Sequence, residues 1–392
     1  MAVKSASFNA RVESFMKEKK TFLHRIGAFL RHDPVLAAAL SLAVISSLIV
    51  PPSMEYLGYI DFHVLVLLFS LMLVVAGLQK SGAFTLLTDK LLQRVKSTRS
   101  LAAVLVGVCF FTSMLITNDV ALITFVPLAV MLLGDEKNEK LLMLVVVLQT
   151  IAANLGSGLT PLGNPQNLYL YSLSGMTLGE FLMVMLPPTA LSAGLLTISI
   201  LLIRPRKIER ESGNDAETDV TLRRIIPWLL LFGLCMLAVL HVIHYLVMLA
   251  VVTIAVILMD RSLFRKADYG LLLTFIGFFI FIGNVKSIPV VSEMLSALVA
   301  GRELGVGVLL SQIISNVPAA MLLSGFTTDY PALLVGVNLG GLGTLIASMA
   351  SMISYQIYAT APGAKAGKYF KLFTVMNIAF LAVLLIVILL LR

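Results

Sequence analysis

Charge is what this chain has least of. Asp, Glu, Lys and Arg make up 13% of its 392 residues, against roughly a quarter in a soluble domain, while 59% are hydrophobic. That balance excludes an apolar core wrapped in a charged shell and points into a bilayer. Runs such as Leu65–Ala76 and Ile378–Leu391 carry no charge at all, and a span needs about 20 apolar residues. Cysteine is nearly absent: Cys109 and Cys235 lie far apart within apolar runs. This excludes a disulfide framework or a paired-cysteine metal site and leaves both as core filler. A cleavable secretory leader is not expected either. The first 33 residues hold seven Lys or Arg, and the apolar run that follows lacks a cleavage-like end. The net charge of +8 does not indicate nucleic acid, because the basic residues collect in loops beside apolar spans.

The expected spans are Pro34–Val50, Asp61–Gln79, Phe181–Ile203, Ile225–Ile243, Leu246–Met259, Tyr269–Gly283 and Phe370–Leu391, with longer stretches at Leu101–Leu133, Leu141–Leu173, Leu304–Phe326 and Pro331–Tyr358. Three basic segments belong in the cytoplasm: an arm over residues 1–33 (Lys17, Lys19, Lys20, Arg25, Arg31), Lys80–Arg99, and the linker Arg204–Arg224. An even number of crossings must join the last two, yet three apolar stretches lie between them. The arms of Leu101–Leu133, split at Thr117-Asn118-Asp119, hold about 15 residues each, roughly 22 Å of helix. The hydrocarbon core is about 30 Å thick. This stretch therefore reads as a hairpin that enters and leaves on one side. Leu141–Leu173 would run roughly 50 Å unbroken, and it contains Asn154-Leu-Gly-Ser-Gly-Leu-Thr-Pro-Leu-Gly-Asn-Pro-Gln-Asn167, dense in helix breakers. It reads as a broken helix.

The second half repeats the order. Ser113-Met-Leu-Ile-Thr-Asn118 matches Ser311-Gln-Ile-Ile-Ser-Asn316 at an offset of 198. Asn154-Leu-Gly-Ser-Gly-Leu-Thr160 matches Asn338-Leu-Gly-Gly-Leu-Gly-Thr344 at an offset of 184, and Tyr171 then pairs with Tyr355. Amphipathic segments, Ala83–Val95 and Pro289–Ala300, precede the two hairpins. The expected fold is an all-α polytopic membrane protein of two inverted-topology repeats, each with a re-entrant hairpin and a discontinuous transmembrane helix. The first repeat is 34–203 (hairpin 101–133, broken helix 141–173). The linker 204–224 and a connecting span 225–243 follow, then the second repeat 246–392 (hairpin 304–326, broken helix 331–358). The extra span inverts the second repeat, so the N-terminus is expected in the cytoplasm and the tail after Leu391 outside. Inverted repeats with broken helices are the architecture of secondary transporters.

Strongly polar groups at bilayer depth fall at the hairpin tips and the breaks. Lipid cannot satisfy the backbone groups freed there, so such breaks belong around a cavity or a ligand. Thr117, Asn118, Asn164, Asn167, Ser315, Asn316, Thr344 and Ser348 are the candidate substrate-binding residues, supplying neutral donors and acceptors. The alternatives are plainer: Asn118 as a helix cap, and Asn164, Gln166 and Asn167 as stitches between helices. Asp119 is the only charge between Leu101 and Leu133. A carboxylate at such depth commonly marks an ion or proton path, the alternative being a helix-dipole partner. With Thr160, Gly163, Gly340 and Gly343 it forms the candidate cation-coupling set, with Na⁺ near Asp119. His241 and His244 read as interfacial residues at an outer helix end. No hydrolytic dyad or metal cluster stands at depth, so an enzyme is not expected and no cofactor beyond Na⁺ is implied.

The tips Thr117-Asn118 and Ser315-Asn316, with Thr160-Pro-Leu-Gly-Asn-Pro-Gln-Asn167, resemble the ion transporter superfamily from about Pro34 onward. That group includes citrate-transporter-like permeases, divalent-anion/sodium symporters, arsenite-efflux permeases and sodium/proton antiporters. The resemblance implies a small-anion substrate, coupling to H⁺ or Na⁺, a place in the cell inner membrane and, for many members, a homodimer. The anion symporters carry Ser-Asn-Thr at both tips. Here the third position departs, with Asp119 and Val317 in place of Thr, and a carboxylate beside an anion site suggests cation coupling. The expectation is a cation-coupled anion transporter; arsenite efflux, Na⁺/H⁺ antiport and a passive anion channel are the rivals.

Overall fold

The computed structural model of the chain describes residues 34–93, 95–135, 138–207 and 222–391. The basic arm 1–33, Arg94 and positions 208–221 of the linker lie outside the described residues. Among those described, secondary structure is helical apart from a single antiparallel bridge, Ser97 to Lys207. Among the described residues six helices are long and apolar enough to cross a membrane, or seven if one bent pair counts as a span. The protein is therefore polytopic and all-α.

Packing divides the chain into two compact units: residues up to Ile60 with Tyr269–Ser287, and Asp61–Asp268 with Ile288–Arg392. The smaller unit is built from α1 (Pro34–Ile49), the short α2 (Glu55–Tyr59) and, far along the chain, α12 (Tyr269–Lys286). Gly277 lets α12 lie directly on the α1 backbone, since a Cβ there would stand 3.1 Å from the Ala39 carbonyl oxygen. Asn284 of α12 donates to Ser46 Oγ at 3.0 Å and to the Tyr56 hydroxyl at 2.9 Å.

The larger unit begins with α3 (Phe62–Lys80), α4 (Ala83–Leu92), α5 (Thr98–Thr112) and α6 (Asn118–Leu133). It continues with α7 (Glu139–Gly156), α8 (Pro165–Ser174), α9 (Leu178–Leu201), α10 (Leu222–Val239) and α11 (Tyr245–Met259). After α12 it resumes with α13 (Pro289–Val299), α14 (Glu303–Ile314), α15 (Asn316–Ser324), α16 (Tyr330–Gly340), α17 (Met349–Ala359) and α18 (Ala366–Leu391). Local chemistry sets many starts. Asp61 caps α3 through Val64 N–H, and Ser97 with Ser100 and Thr177 with Glu180 form capping boxes on α5 and α9. Asn164 and Asp329 cap α8 and α16, each with proline in the first turn.

Contacts at helix ends fix relative directions. His63, at the start of α3, meets the Tyr245 ring at the start of α11, while Lys80 and Asp260 pair at their far ends. The two helices are thus parallel. His63 also bonds Ser172 Oγ at 3.0 Å and faces the ring of His241, which stays exposed just past the end of α10. Glu139 at the start of α7 pairs with Lys365 just before α18, placing those starts on one face. Thr98 and Arg99 at the start of α5 bond the carbonyls of Arg204 and Ile203 beyond α9, which brings Lys80–Arg99 and the linker's first residues together.

The two helix–turn–helix stretches are α5–α6, turning at residues 113–117, and α14–α15, turning at Ser315 alone. The arms of α14–α15 are 12 and 9 residues long, roughly 18 and 14 Å. Their outer ends are tied: Thr327 donates to the Glu303 carboxylate at 3.0 Å. α13 meets α14 at a bend of 107°. The two interrupted helices are α7–α8, broken at 160–164 beyond a 3₁₀ turn, and α16–α17, broken at 341–348 around another. α7 and α16 form the core. From Leu142 onward nearly every α7 residue is buried, and likewise from Ala332 in α16. α9, α10 and α18 present exposed Leu186, Ile198, Leu230, Leu389 and Leu390, as lipid-facing helices do.

Candidate functional site

Polar side chains buried in this apolar protein converge where the two breaks meet. Asn154, in the last turn of α7, accepts from Asn118 Nδ2 and from Ser348 Oγ, both at 3.0 Å. Its own amide donates to Ser351 Oγ at 3.2 Å and to the Gly341 carbonyl at 3.4 Å. Asn338, in the last turn of α16, accepts from Asn164 Nδ2 at 3.1 Å and donates to Asn167 Oδ1 at 2.7 Å. Asn338 follows Asn154 by 184 positions, and Ser348 and Ser351 follow Asn164 and Asn167 by the same interval. Each half thus sends the end of its first half-helix onto the start of the other half's second half-helix. α7 runs antiparallel to α17, since Asn154 meets Ser351 while Thr150, one turn earlier, donates to Ser354 at 2.7 Å, one turn later.

The freed backbone is satisfied differently at the two breaks. Asn167 Nδ2 reaches three carbonyls of the first, Ser157, Gly158 and Thr160, at 3.2, 3.1 and 3.0 Å. Gly163 folds against the same turn: a Cβ there would stand 2.0 Å from the Ser157 oxygen. Its carbonyl accepts from the Asn118 N–H at 3.0 Å, tying the first tip to the first break, and Thr160 donates its hydroxyl to the Met114 carbonyl. At the second break Gln312 does this work. Its Nε2 donates to the Gly340 and Leu342 carbonyls, both at 2.9 Å, and its Oε1 accepts from Thr344 N–H at 2.9 Å. Gly343 is held there at φ +107°, a left-handed conformation that suits glycine. Ser315, also at positive φ (75°), donates to Ala347 O at 3.4 Å.

Of the candidate substrate residues, Asn118, Asn164, Asn167 and Ser348 join one continuous network. Asn316 lies beside it, its Nδ2 2.9 Å from where a Gly341 Cβ would stand. Asn118 and Asn316 thus approach a common neighbourhood, Asn154 and Gly341. Thr117 is the N-cap of α6 but makes no side-chain cap bond. Asn118 is the first helical residue rather than the cap, and its Oδ1 accepts from Asp119 N–H at 3.0 Å. Thr344 is exposed, and its N–H and hydroxyl both bond Gln312. Asp119 is half-buried in the first turn of α6, with the carboxylate of Asp268 within electrostatic reach. Among the described residues no cluster of three or more His, Cys, Asp or Glu could hold a metal ion.

Asn154, Asn338, Ser351 and Gln312 were absent from the candidate set. The signal for the asparagines was present, since each opens its copy of the repeated break motif. Gln312 faces Met114 in the hairpin match, so only the fold exposes its role.

A polytopic helical protein with neutral amides and hydroxyls buried between two interrupted helices is a membrane protein with a polar centre, the class into which transporters fall. The chain belongs to the citrate transporter family, whose profile matches residues 26–330. It is 31% identical over 303 residues to an uncharacterized transporter of Methanocaldococcus jannaschii, covering 75% of this chain and 80% of that protein. It is 31% identical over 296 residues to the inner membrane protein YbiR of Escherichia coli, covering 74% and 78%. A silicon efflux transporter of Oryza sativa is 33% identical over 142 residues, 36% of this chain and 29% of that protein. The protein is a multi-pass membrane transporter.

Proposed function

We propose that this protein is a cation-coupled secondary transporter that moves a small inorganic or organic anion across the cell inner membrane. The observation that carries the reading is the reciprocal bonding of Asn154 with Ser348 and Ser351, and of Asn338 with Asn164 and Asn167. A pseudo-twofold exchange of this kind is what two inverted repeats produce at a midplane site. Neutral donors there can hold an anion without a fixed countercharge. The set Thr117, Asn118, Asn164, Asn167, Ser315, Asn316, Thr344 and Ser348 is the proposed substrate shell, extended by Asn154, Asn338 and Ser351.

The cation is assigned to Asp119, Thr160, Gly163, Gly340 and Gly343. Asp119 and Asp268 are carboxylates within electrostatic reach of each other, and a proton or Na⁺ on Asp119 would relieve their repulsion. The hairpins α5–α6 and α14–α15 are read as re-entrant. The Thr327–Glu303 bond closing the base of the second supports this, as do arms too short for a core of about 30 Å. The N-terminus and the loops at Lys80–Arg99 and Arg204–Arg224 are placed inside and the tail outside. The pairings of Thr98 with Arg204 and of Glu139 with Lys365 agree with that placement. A homodimer belongs to the same proposal.

Efflux is the second reading, favoured by the similarity to a silicon efflux transporter. A proteoliposome flux screen across anions, with and without imposed Na⁺ and pH gradients, tests both. Gradient-driven uptake supports symport, and gradient-driven extrusion supports efflux. Flux that ignores every gradient would leave a passive channel. Labelling of cysteines placed in 134–140 from outside alone would overturn the re-entrant reading of the first hairpin.

A further inference from the structure

One groove in the larger unit plays no part in this network. It lies between α5 and α9, encloses about 470 Å³, and is lined at one end by Ser97, Arg99 and Ser100 and further along by Gly107, Phe111 and Leu196. From Arg99 to Phe110 it follows twelve residues of helix, roughly 17 Å between the first and the last, close to the acyl depth of one leaflet, about half of 30 Å. Its polar end is basic. Arg99 is half-buried and donates through Nε to the Ile203 carbonyl at 2.8 Å, and the remaining guanidinium donors can serve another acceptor. The bonds from Thr98 to Arg204 O at 3.0 Å and Arg206 O at 2.9 Å bring the exposed segment Arg204–Lys207 to the same end. Among the described residues no carboxylate lines the groove. Its floor is open at Gly107, where a Cβ would meet nothing within 4 Å.

We propose that this groove binds an acidic phospholipid. One acyl chain lies along Gly107, Phe111 and Leu196, and the headgroup phosphate is held by Arg99 with the Arg204–Lys207 segment beside it. An apolar channel of leaflet depth ending in a guanidinium, with no carboxylate among its described lining residues, matches an anionic lipid in both parts: apolar wall to chain, guanidinium to phosphate. A zwitterionic lipid would fill the same channel without the net charge to complement the basic end. The site shares no residue with the asparagine network.

Native mass spectrometry of the detergent-solubilised full chain, offered equal phosphatidylglycerol and phosphatidylcholine of matched chain length, tests this. The unaltered protein should retain phosphatidylglycerol preferentially. Arg99→Gln should lower that retention about fivefold, the effect of one basic residue at a membrane surface, while Arg99→Lys should largely preserve it. Gly107→Phe, whose Cβ meets no protein atom within 4 Å and whose ring enters the channel, should abolish retention of either lipid at this site. A thermal melt of each variant establishes that it is folded, and Gly107→Phe carries the test if Arg99→Gln is not. Equal retention of the two lipids by the unaltered protein would overturn the proposal. So would undiminished phosphatidylglycerol on a folded Gly107→Phe, or its complete displacement by inorganic phosphate.

Discussion

Asn338 and Asn167 lock the two halves together with a hydrogen bond of 2.7 Å, donated from the Asn338 amide to the Asn167 carbonyl oxygen. That bond orders its neighbours. Asn338 has its oxygen left to accept from Asn164, and Asn167 has its nitrogen left for the carbonyls of the first break. The donors of one half thus meet acceptors of the other with amide orientations that agree throughout.

Removal of either central asparagine should therefore damage both folding and transport. Asn154→Ala strips the side-chain partner from Asn118, Ser348 and Ser351, and Asn338→Ala strips it from Asn164 and Asn167. Each buried group left unpaired costs about 1–3 kcal/mol. Both variants should melt below the unaltered protein in detergent and show no substrate flux in proteoliposomes. Flux at the native level from either would detach the network from transport.

Gln312 makes a separate prediction, because it braces the second break alone. Gln312→Met, the residue that the first hairpin carries at the matching position, releases the Gly340 and Leu342 carbonyls and the Thr344 N–H. A loss of about 1.4 kcal/mol is a tenfold change in local opening. Amide exchange across 341–345 should quicken about tenfold while exchange across 157–163 stays unchanged. Equal acceleration at both breaks would mean that Gln312 supports the whole core rather than its own loop.

Asp119 is the sharpest test of coupling. Asp119→Asn should retain substrate binding and lose cation dependence, turning driven transport into exchange or leak. The measurement is anion flux against imposed pH and Na⁺ gradients for both forms. Accumulation with unchanged gradient dependence would reduce Asp119 to a helix-dipole partner and leave coupling with the backbone around Thr160–Asn164 and Gly340–Thr344.

The pair Lys80 and Asp260 predicts a pH window well away from that site. Hydrogen bonds from Lys80, and then from Ser262, pull the Asp260 carboxyl down to about 2, against about 3.9 in an unfolded chain. A depressed carboxyl adds stability that is complete above the unfolded value and disappears as pH falls through the folded one. Melting curves of Asp260→Asn and the unaltered protein should therefore differ above about pH 4 and converge toward about pH 2. A constant gap across that range would show that the ion pair adds nothing. Its exposure keeps the expected gap small.

Much of the architecture was legible in composition and spacing alone. Scarce charge pointed into a bilayer, and the helix breakers in Leu141–Leu173, a stretch too long for one crossing, suggested an interruption where the gap between α7 and α8 falls, because lipid cannot hydrogen-bond freed backbone. The repeated Asn-Leu-Gly motif announced Asn154 and Asn338 as corresponding positions. What it did not disclose was their partners. Periodicity shows which face of a helix is polar, whereas a hydrogen bond across 171 to 197 positions depends on which half-helix lands beside which. The tertiary structure decided that each α7-type half-helix crosses to the opposite half. It also decided that Gln312 of α14, ordinary in sequence, braces the second break as Asn167 braces the first. Those outcomes rest on packing geometry, where a buried donor takes whatever acceptor the fold delivers.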